Sequence, residues 1–151
     1  MTNPFDQYIG NDMGKDKKKI RVVAGLFVKN GKILVAKRAK QKIHGDLWEF
    51  PGGKIEHGEE PSEALRRELA EELSVDVCVG PFVASSRVLS GELSIEMAVF
   101  EVQIARGKLT TKEHEELKWI APTEMARLKW APADIPLLSE IERFCQTKGD
   151  V

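Results

Sequence analysis

Residues 53–75 read GKIEHGEEPSEALRRELAEELSV, and this stretch puts more acid on one short helix than folding alone favours. Glu68, Glu71 and Glu72 are spaced i, i+3 and i+4, so in a helix their carboxylates share roughly one face. Like charges at those spacings destabilise a helix by about 0.2–0.5 kcal/mol per pair. The repulsion predicts a divalent cation among the three carboxylates. The alternative is an ordinary solvated acidic face.

The residues ahead of the helix favour the cation. Gly53 is followed after five residues by Glu59, and after seven more by Arg67 and Glu68. This spacing resembles the signature of the Nudix hydrolases (the Nudix box, here residues 53–75), in which Glu59 is expected to tie the loop to the helix. One position departs, because Ser74 stands where the family usually has glycine. A left-handed helix end costs serine about 1 kcal/mol, unless the helix ends differently.

The resemblance implies a fold and a metal site. The implied fold is α/β (α+β), a Nudix-type α/β/α sandwich with a mixed β-sheet between helices. The implied cofactor is Mg²⁺, with Mn²⁺ as a substitute, held by Glu68, Glu71, Glu72 and the backbone carbonyl of Gly52. Glu68 is also expected to act as general base toward the attacking water, and Arg67 to orient the acids. Glu68, Glu71 and Arg67 are therefore the expected catalytic residues.

Segments on both sides of the box resemble the MutT branch of the family. They include residues 47–56 (LWEFPGGKIE) and 131–136 (APADIP), and the similarity runs from about Ile20 to Ile141. That branch contains 8-oxo-dGTP diphosphatases and CTP pyrophosphohydrolases, which release a nucleoside monophosphate and pyrophosphate. The resemblance implies that the substrate is bound by Arg38, Glu49, Phe50, Pro51, Gly53 and Asp134.

Some of these residues also have ordinary structural explanations. Arg38 is equally an exposed strand-end arginine, Phe50 a core residue and Asp134 the N-cap of the last helix. The 8-oxo-guanine enzymes often have asparagine at the position of Asp134, whereas an ionised aspartate only accepts hydrogen bonds. The preference between guanine and cytosine therefore stays open. His44 and Glu113 are further candidates beside the site, with a solvated loop as the alternative.

The composition is that of one globular domain. The chain has 151 residues, of which 42% are hydrophobic and 31% charged. A net charge of −1 argues against a nucleic-acid polymer, and no run approaches the ~18 apolar residues of a membrane span. The isolated Cys78 and Cys145 indicate free thiols in a reducing cytoplasm. The expected partner is a small-molecule nucleoside triphosphate, bound by a monomer or homodimer.

Local patterns predict boundaries and elements. A polar tail is expected over residues 1–19, one domain over 20–146 and a second tail over 147–151. Asn30-Gly31 predicts a hairpin turn, and strands are expected over 75–79 and 82–89. The apolar stripe of the box helix is predicted to be Leu65, Leu69 and Leu73, and that of a last helix over 133–145 to be Ile135, Leu138, Ile141 and Phe144.

Together these features predict an Mg²⁺-dependent pyrophosphohydrolase that removes 8-oxo-dGTP or a similar non-standard nucleoside triphosphate from the nucleotide pool. The first alternative is CTP or 5-methyl-dCTP as substrate. A second is a Nudix enzyme for another nucleoside diphosphate derivative. The third is a Nudix domain that senses a nucleotide without hydrolysing it, although a sensor has no need to keep all three helix acids.

Overall fold

The fold is built on one mixed β-sheet. The computed structural model describes residues 3–8 and 18–149, and the strands and helices below are those of these residues. The strands are β1 (Lys18–Lys29), β2 (Lys32–Arg38), β3 (Trp48–Glu49), β4 (Gly52–Lys54), β5 (Val75–Ser90), β6 (Leu93–Gly107) and β7 (His114–Ile120). The α-helices are α1 (Pro61–Leu73) and α2 (Leu138–Gly149), with 3₁₀ turns at Asp6–Tyr8, Pro122–Arg127 and Ile135–Leu137.

The strand order is β3-β2-β1-β6-β5, with β4 also paired to β1 and β7 to β2. β1 and β6 run parallel, whereas the other pairs are antiparallel. Neighbouring residues of β1 point to opposite faces, so Val23 packs with α1 and Ala24 packs toward α2. Helices on both faces of a mixed sheet confirm the predicted α/β/α sandwich.

Helix α1 carries most of the box. Leu65, Leu69 and Leu73 are fully buried against the sheet, which confirms the predicted apolar stripe. The helix ends in the left-handed conformation, because Ser74 has φ 61° and ψ 34° and its N–H donates to Ala70 O over 3.2 Å. Serine therefore keeps the geometry that glycine usually provides, and carries the conformational cost.

Two predicted elements differ in detail. The strands expected over 75–79 and 82–89 form the single strand β5, which is bulged near Gly80. The last α-helix begins at Leu138, after Pro136, whose ring cannot donate the backbone hydrogen bond that a helix interior requires. Ile135 therefore lies before the helix and is 56% exposed, so its predicted inward position is wrong.

The N-terminal segment (residues 3–8) is packed on the domain. The Phe5 side chain is 1% exposed, the Arg21 guanidinium lies 5.3 Å from its ring centroid, and Tyr8 Oη is 3.0 Å from Ser85 Oγ. The predicted polar tail therefore does not describe residues 3–8, nor Lys18 and Lys19, with which β1 begins. The rest of that tail, 1–2 and 9–17, lies outside the described residues, as do 150–151 of the C-terminal tail.

Helix α2 continues to Gly149, beyond the predicted domain end at residue 146. Within residues 3–8 and 18–149, no helix is long and apolar enough to cross a membrane.

Candidate active site

One cleft of about 570 Å³ collects most of the predicted site residues. Its apolar wall is formed by sheet residues such as Val22, Ile95 and Met97. Its polar groups come from the ends of β2, β3 and β7, from α1 and from the loop before α2: Arg38, Glu49, Glu72, Glu113, His114 and Asp134. Phe50, Gly52 and Gly53 also line the cleft, whereas Pro51 is tied to β1 through its carbonyl, which accepts from Gly25 N over 2.8 Å.

Arg67 is the centre of the acidic loop and helix. It donates to both oxygens of Glu59, Nε to Oε2 over 2.8 Å and Nη2 to Oε1 over 2.9 Å. Nη1 donates to Glu68 Oε1 over 2.9 Å and lies 3.4 Å from Glu71 Oε2, while Nη2 also donates to Lys54 O. The Arg67 hydrogen bonds lower the pKa of Glu59 to about 2. This contact set is the one expected of a residue that orients acids.

Two glycines let the backbone of β4 approach its neighbours closely. A side chain at Gly53 would overlap the carboxylate of Glu68, and one at Gly52 would overlap the carbonyl of Val23. The predicted turn glycines therefore bring the chain directly against Glu68 of α1.

Glu72 faces the cleft among other carboxylates. Burial, followed by the negative charges of Glu68, Glu113 and Glu49, raises the pKa of Glu72 to about 8. Its Oε2 is buried and has no hydrogen-bond partner among the described residues. A buried, unpaired carboxylate oxygen beside like charges holds either a proton or a cation.

A divalent cation fits this donor set, because Mg²⁺ and Mn²⁺ prefer carboxylate and carbonyl oxygens. Among the described residues, however, no group of three or more acidic, histidine or cysteine side chains is already arranged so that it could hold a metal ion. Glu68 and Glu72 are adjacent, whereas Glu71, with 61% of its side chain exposed, lies near Arg67. The structure thus brings together two of the three predicted acids.

A hydrogen-bonded chain, Arg38–Glu49–His114, crosses three strands at the cleft. Glu49 Oε1 accepts from Arg38 Nη1 over 2.8 Å, and Glu49 Oε2 lies 2.9 Å from His114 Nε2. Burial would raise the pKa of Glu49, but hydrogen bonds from His114 and Arg38 outweigh it and lower that pKa below its ordinary value. Nothing local in the sequence indicated His114, because its contact depends on the pairing of β2 with β7.

Asp134 lines the same cleft from the loop before α2. It is 3% exposed, and its Oδ1 accepts from the backbone N–H of Phe50 over 3.0 Å. Its side chain makes no capping hydrogen bond to the following 3₁₀ turn, so the N-cap explanation is wrong. Burial raises the pKa of Asp134 well above its ordinary value, against the opposing hydrogen bond from Phe50. A protonated carboxyl both donates and accepts, as asparagine does.

Two further candidates lie on the cleft wall. His44 is exposed in the loop after β2, with φ 59°. Glu113 lies close enough to Glu72 to raise its pKa, and its Oε2 is 3.3 Å from Lys42 Nζ. Phe50 is buried and stacks on Trp130, with ring centroids 5.1 Å apart, so its ring serves the core as well as the cleft wall.

Other proteins are similar to this chain in sequence and in fold. The family model described as NUDIX domain matches residues 18–141. The CTP pyrophosphohydrolase of Escherichia coli is 45% identical over 122 residues, covering 80% of this chain and 90% of that protein. A putative 8-oxo-dGTP diphosphatase 2 of Mycobacterium tuberculosis is 34% identical, covering 81% and 87%.

Solved structures agree with these matches. The solution structure of the E. coli ORF135 protein superposes with a TM-score of 0.76 at 41% identity, covering 84% of this chain and 91% of that one. A MutT protein from Methanosarcina mazei superposes with a TM-score of 0.75 at 23% identity, which supports the fold alone. This chain therefore belongs to the Nudix hydrolase family, in the MutT-like branch that its box and flanking segments resemble.

Proposed function

We propose that this protein hydrolyses 8-oxo-dGTP or a similar non-standard nucleoside triphosphate to the monophosphate and pyrophosphate. The observation that carries the proposal is one cleft that brings together acids, an arginine and a buried hydrogen-bonding carboxyl. Glu72, Arg38 and Asp134 all line it, and about 570 Å³ lies within the range of small-molecule pockets.

The acids of α1 are the proposed metal ligands. Glu68 and Glu72 would hold Mg²⁺, or Mn²⁺, together with the carbonyl of Gly52, and Glu71 would join them directly or through water. When bound there, such an ion offsets phosphate charge and makes water more acidic. The buried, unpaired Oε2 of Glu72 supports this assignment.

The remaining chemistry requires positioning and one proton transfer. Water adds to one of the two phosphorus atoms beside the α–β bridging oxygen, and the anhydride bond breaks. Attack at the α-phosphorus displaces pyrophosphate, attack at the β-phosphorus displaces the monophosphate, and the two products are the same in either case. Glu68 accepts the proton of that water, and Arg67 holds the Glu68 carboxylate in place through its 2.9 Å hydrogen bond. Arg38, at the cleft, contacts the phosphates.

Asp134 is the proposed base-reading group. In its protonated form it donates from one oxygen and accepts at the other. Cytosine presents N3 as an acceptor beside its amino donor, and the guanine edge presents O6 as an acceptor beside N1–H. Both edges match a protonated carboxyl, so this residue accommodates either base. Phe50 and Gly53 contribute the neighbouring cleft wall, and Pro51 fixes the turn between β3 and β4.

A cytosine nucleotide is the specific second candidate. The CTP pyrophosphohydrolase of E. coli is 45% identical to this chain, a higher identity than the 34% of the putative 8-oxo-dGTP diphosphatase 2. The geometry at Asp134 supports both candidates equally.

The test is pyrophosphate release with Mg²⁺ from 8-oxo-dGTP, dGTP, CTP and 5-methyl-dCTP. We expect the enzyme to turn over at least one of 8-oxo-dGTP, CTP and 5-methyl-dCTP faster than dGTP. Glu68→Gln should lower kcat by about 10²–10⁴-fold, because the proton acceptor is lost. Glu115→Gln, an exposed acid outside the cleft lining, is the matched control. Binding of a triphosphate without any hydrolysis would favour a sensor, and the absence of turnover on all four would reject the proposal.

A further inference from the structure

His114 occupies an unusual position for a histidine outside the Nudix box. It begins β7 directly opposite Arg38 of β2, and its side chain is only 6% exposed. Its Nε2 lies 2.9 Å from Glu49 Oε2, while its Nδ1 is buried without a hydrogen-bond partner among the described residues. The ring therefore has one clear polar contact, to Glu49.

The contact matters because of what Glu49 does with its other oxygen. Oε1 accepts from Arg38 Nη1 over 2.8 Å, and Arg38 is also anchored by its Nε, which donates to Ile43 O over 3.0 Å. Nη2 of Arg38 has no hydrogen-bond partner in the part of the chain that the structure describes, and Arg38 lines the cleft. The guanidinium thus keeps donors for a ligand.

Arginine–carboxylate pairs frequently form two parallel hydrogen bonds. In that arrangement Glu49 would engage two donors of Arg38 and compete with an incoming phosphate. In the structure Oε2 is turned toward His114, and Arg38 reaches Glu49 through Oε1 alone.

We propose that His114 is a positioning residue: by binding Oε2 of Glu49, it keeps the Arg38–Glu49 pair single-bonded and leaves the Arg38 guanidinium free to bind the phosphates of the substrate. The inference rests on the proposed function, since it assigns Arg38 to the triphosphate. His114 itself touches neither the phosphates nor the base in this arrangement. It affects phosphate binding only through its hydrogen bond to Glu49 and the position of Arg38.

The first experiment compares His114→Leu with His114→Gln, using the triphosphate that the wild-type enzyme turns over best. Leucine cannot donate to Glu49, so KM should rise about tenfold while kcat changes little, because a phosphate contact is lost in ground and transition states alike. The glutamine amide can still donate to Oε2, so His114→Gln should restore KM to within about threefold of wild type. His57→Leu, an exposed histidine outside the cleft lining, is the control and should leave KM unchanged.

The second experiment tests whether the effect passes through Arg38. In an Arg38→Ala background, adding His114→Leu should raise KM no further, because there is no guanidinium left to position. An equal rise of KM in both backgrounds would overturn the proposal, as would a His114→Gln variant as impaired as His114→Leu. Melting temperatures measured alongside distinguish these outcomes from unfolding.

A binding measurement separates this inference from the proposed function. Calorimetric titration of the folded protein with tripolyphosphate and Mg²⁺ reports the phosphate contact without turnover. We expect His114→Leu to weaken that binding about tenfold in the wild-type background and not in Arg38→Ala. A wild-type protein that binds tripolyphosphate but hydrolyses no triphosphate would reject only the proposed function. Unchanged tripolyphosphate binding in His114→Leu would reject the role of His114.

Discussion

At the scale of single residues, Asp134 shows how burial changes what a side chain can recognise. The residue is 3% exposed, and one carboxyl oxygen accepts a hydrogen bond from the Phe50 N–H. Burial raises its pKa well above the ordinary value and so favours the protonated form, which matches asparagine in hydrogen bonding. In its hydrogen bonding, Asp134 therefore differs less from the asparagine of the 8-oxo-guanine enzymes than the change of residue type suggests.

That equivalence is testable by substitution. Asp134→Asn should keep kcat/KM within about threefold of wild type on the preferred triphosphate, whereas Asp134→Ala should lose about tenfold or more, because the base edge is left unpaired. Wild-type kcat/KM should also fall at high pH, as the raised pKa is exceeded and the donor is lost, and the asparagine variant should lack that fall. The measurement is kcat/KM against pH for all three proteins. An inactive but folded Asp134→Asn variant would contradict a protonated role.

Glu72 gives a second prediction at this scale. Its pKa is raised to about 8 by burial and by the neighbouring carboxylates. A carboxyl whose pKa is higher in the folded state stabilises the fold below its unfolded pKa of 4.5, and this contribution is lost as pH rises through about 8. In EDTA, the melting temperature of the wild-type protein should fall as the pH is raised from 6 to 9. The fall should be smaller in Glu72→Gln, which lacks the titrating carboxyl.

Mg²⁺ should act against that loss. At pH 9 it should raise the melting temperature of wild type more than that of Glu72→Gln, because the ion replaces the missing proton between the carboxylates. Differential scanning calorimetry with and without Mg²⁺ gives both comparisons. The same pH slope in wild type and Glu72→Gln would show that Glu72 is not the titrating group.

At the scale of elements, the end of α1 joins the acidic face to β5 through a strained residue. Ser74 has φ 61°, a conformation that costs a residue with a Cβ about 1 kcal/mol. Ser74→Gly should therefore raise the free energy of unfolding by about 1 kcal/mol, measured by urea denaturation, and leave turnover unchanged. Ser62→Gly, in the first turn of the same helix, is the control and should destabilise. A loss of stability in Ser74→Gly would mean that the hydroxyl contributes more than the strain costs.

Elements set by local patterns could be predicted from the sequence. Leu65, Leu69 and Leu73 recur at helical spacing, and all three are buried. Asn30 and Gly31 have φ 52° and 75°, as their hairpin signature predicts. These features depend on residues a few positions apart, so their periodicity is visible in one chain.

Contacts across the sheet could not be predicted in the same way. The Glu49–His114 hydrogen bond joins residues 65 apart, and that between Phe50 and Asp134 joins residues 84 apart. Both require the register of the paired strands and the packing of the loop before α2, which no local pattern records. The site residues of the box therefore followed from spacing and resemblance, whereas the partners of Glu49 and Asp134 required the fold.

At the scale of the whole molecule, the apolar wall of the cleft and the N-terminal segment lie on opposite faces of the sheet. Val22 lines the cleft, whereas Arg21, its neighbour on β1, lies against Phe5. Adjacent residues of a strand point to opposite faces, so the N-terminal segment covers the side of the sheet away from this part of the cleft. It also lies outside the family match, which begins at residue 18.

This arrangement predicts that stability and turnover separate in Phe5→Ala. The Phe5 side chain is 1% exposed, and truncation of a buried phenylalanine costs about 3–5 kcal/mol. Because the segment is terminal, the lower figure of about 3 kcal/mol is expected, measured by urea denaturation. Well below the melting temperature, kcat/KM should stay within about twofold of wild type, since Phe5 does not line the cleft.

Ile135→Ala, at a 56% exposed apolar residue, is the control and should change stability by less than about 1 kcal/mol. An unchanged melting temperature in Phe5→Ala would show that the N-terminal segment adds nothing to the fold in solution, and a loss of turnover at full stability would connect it to the cleft.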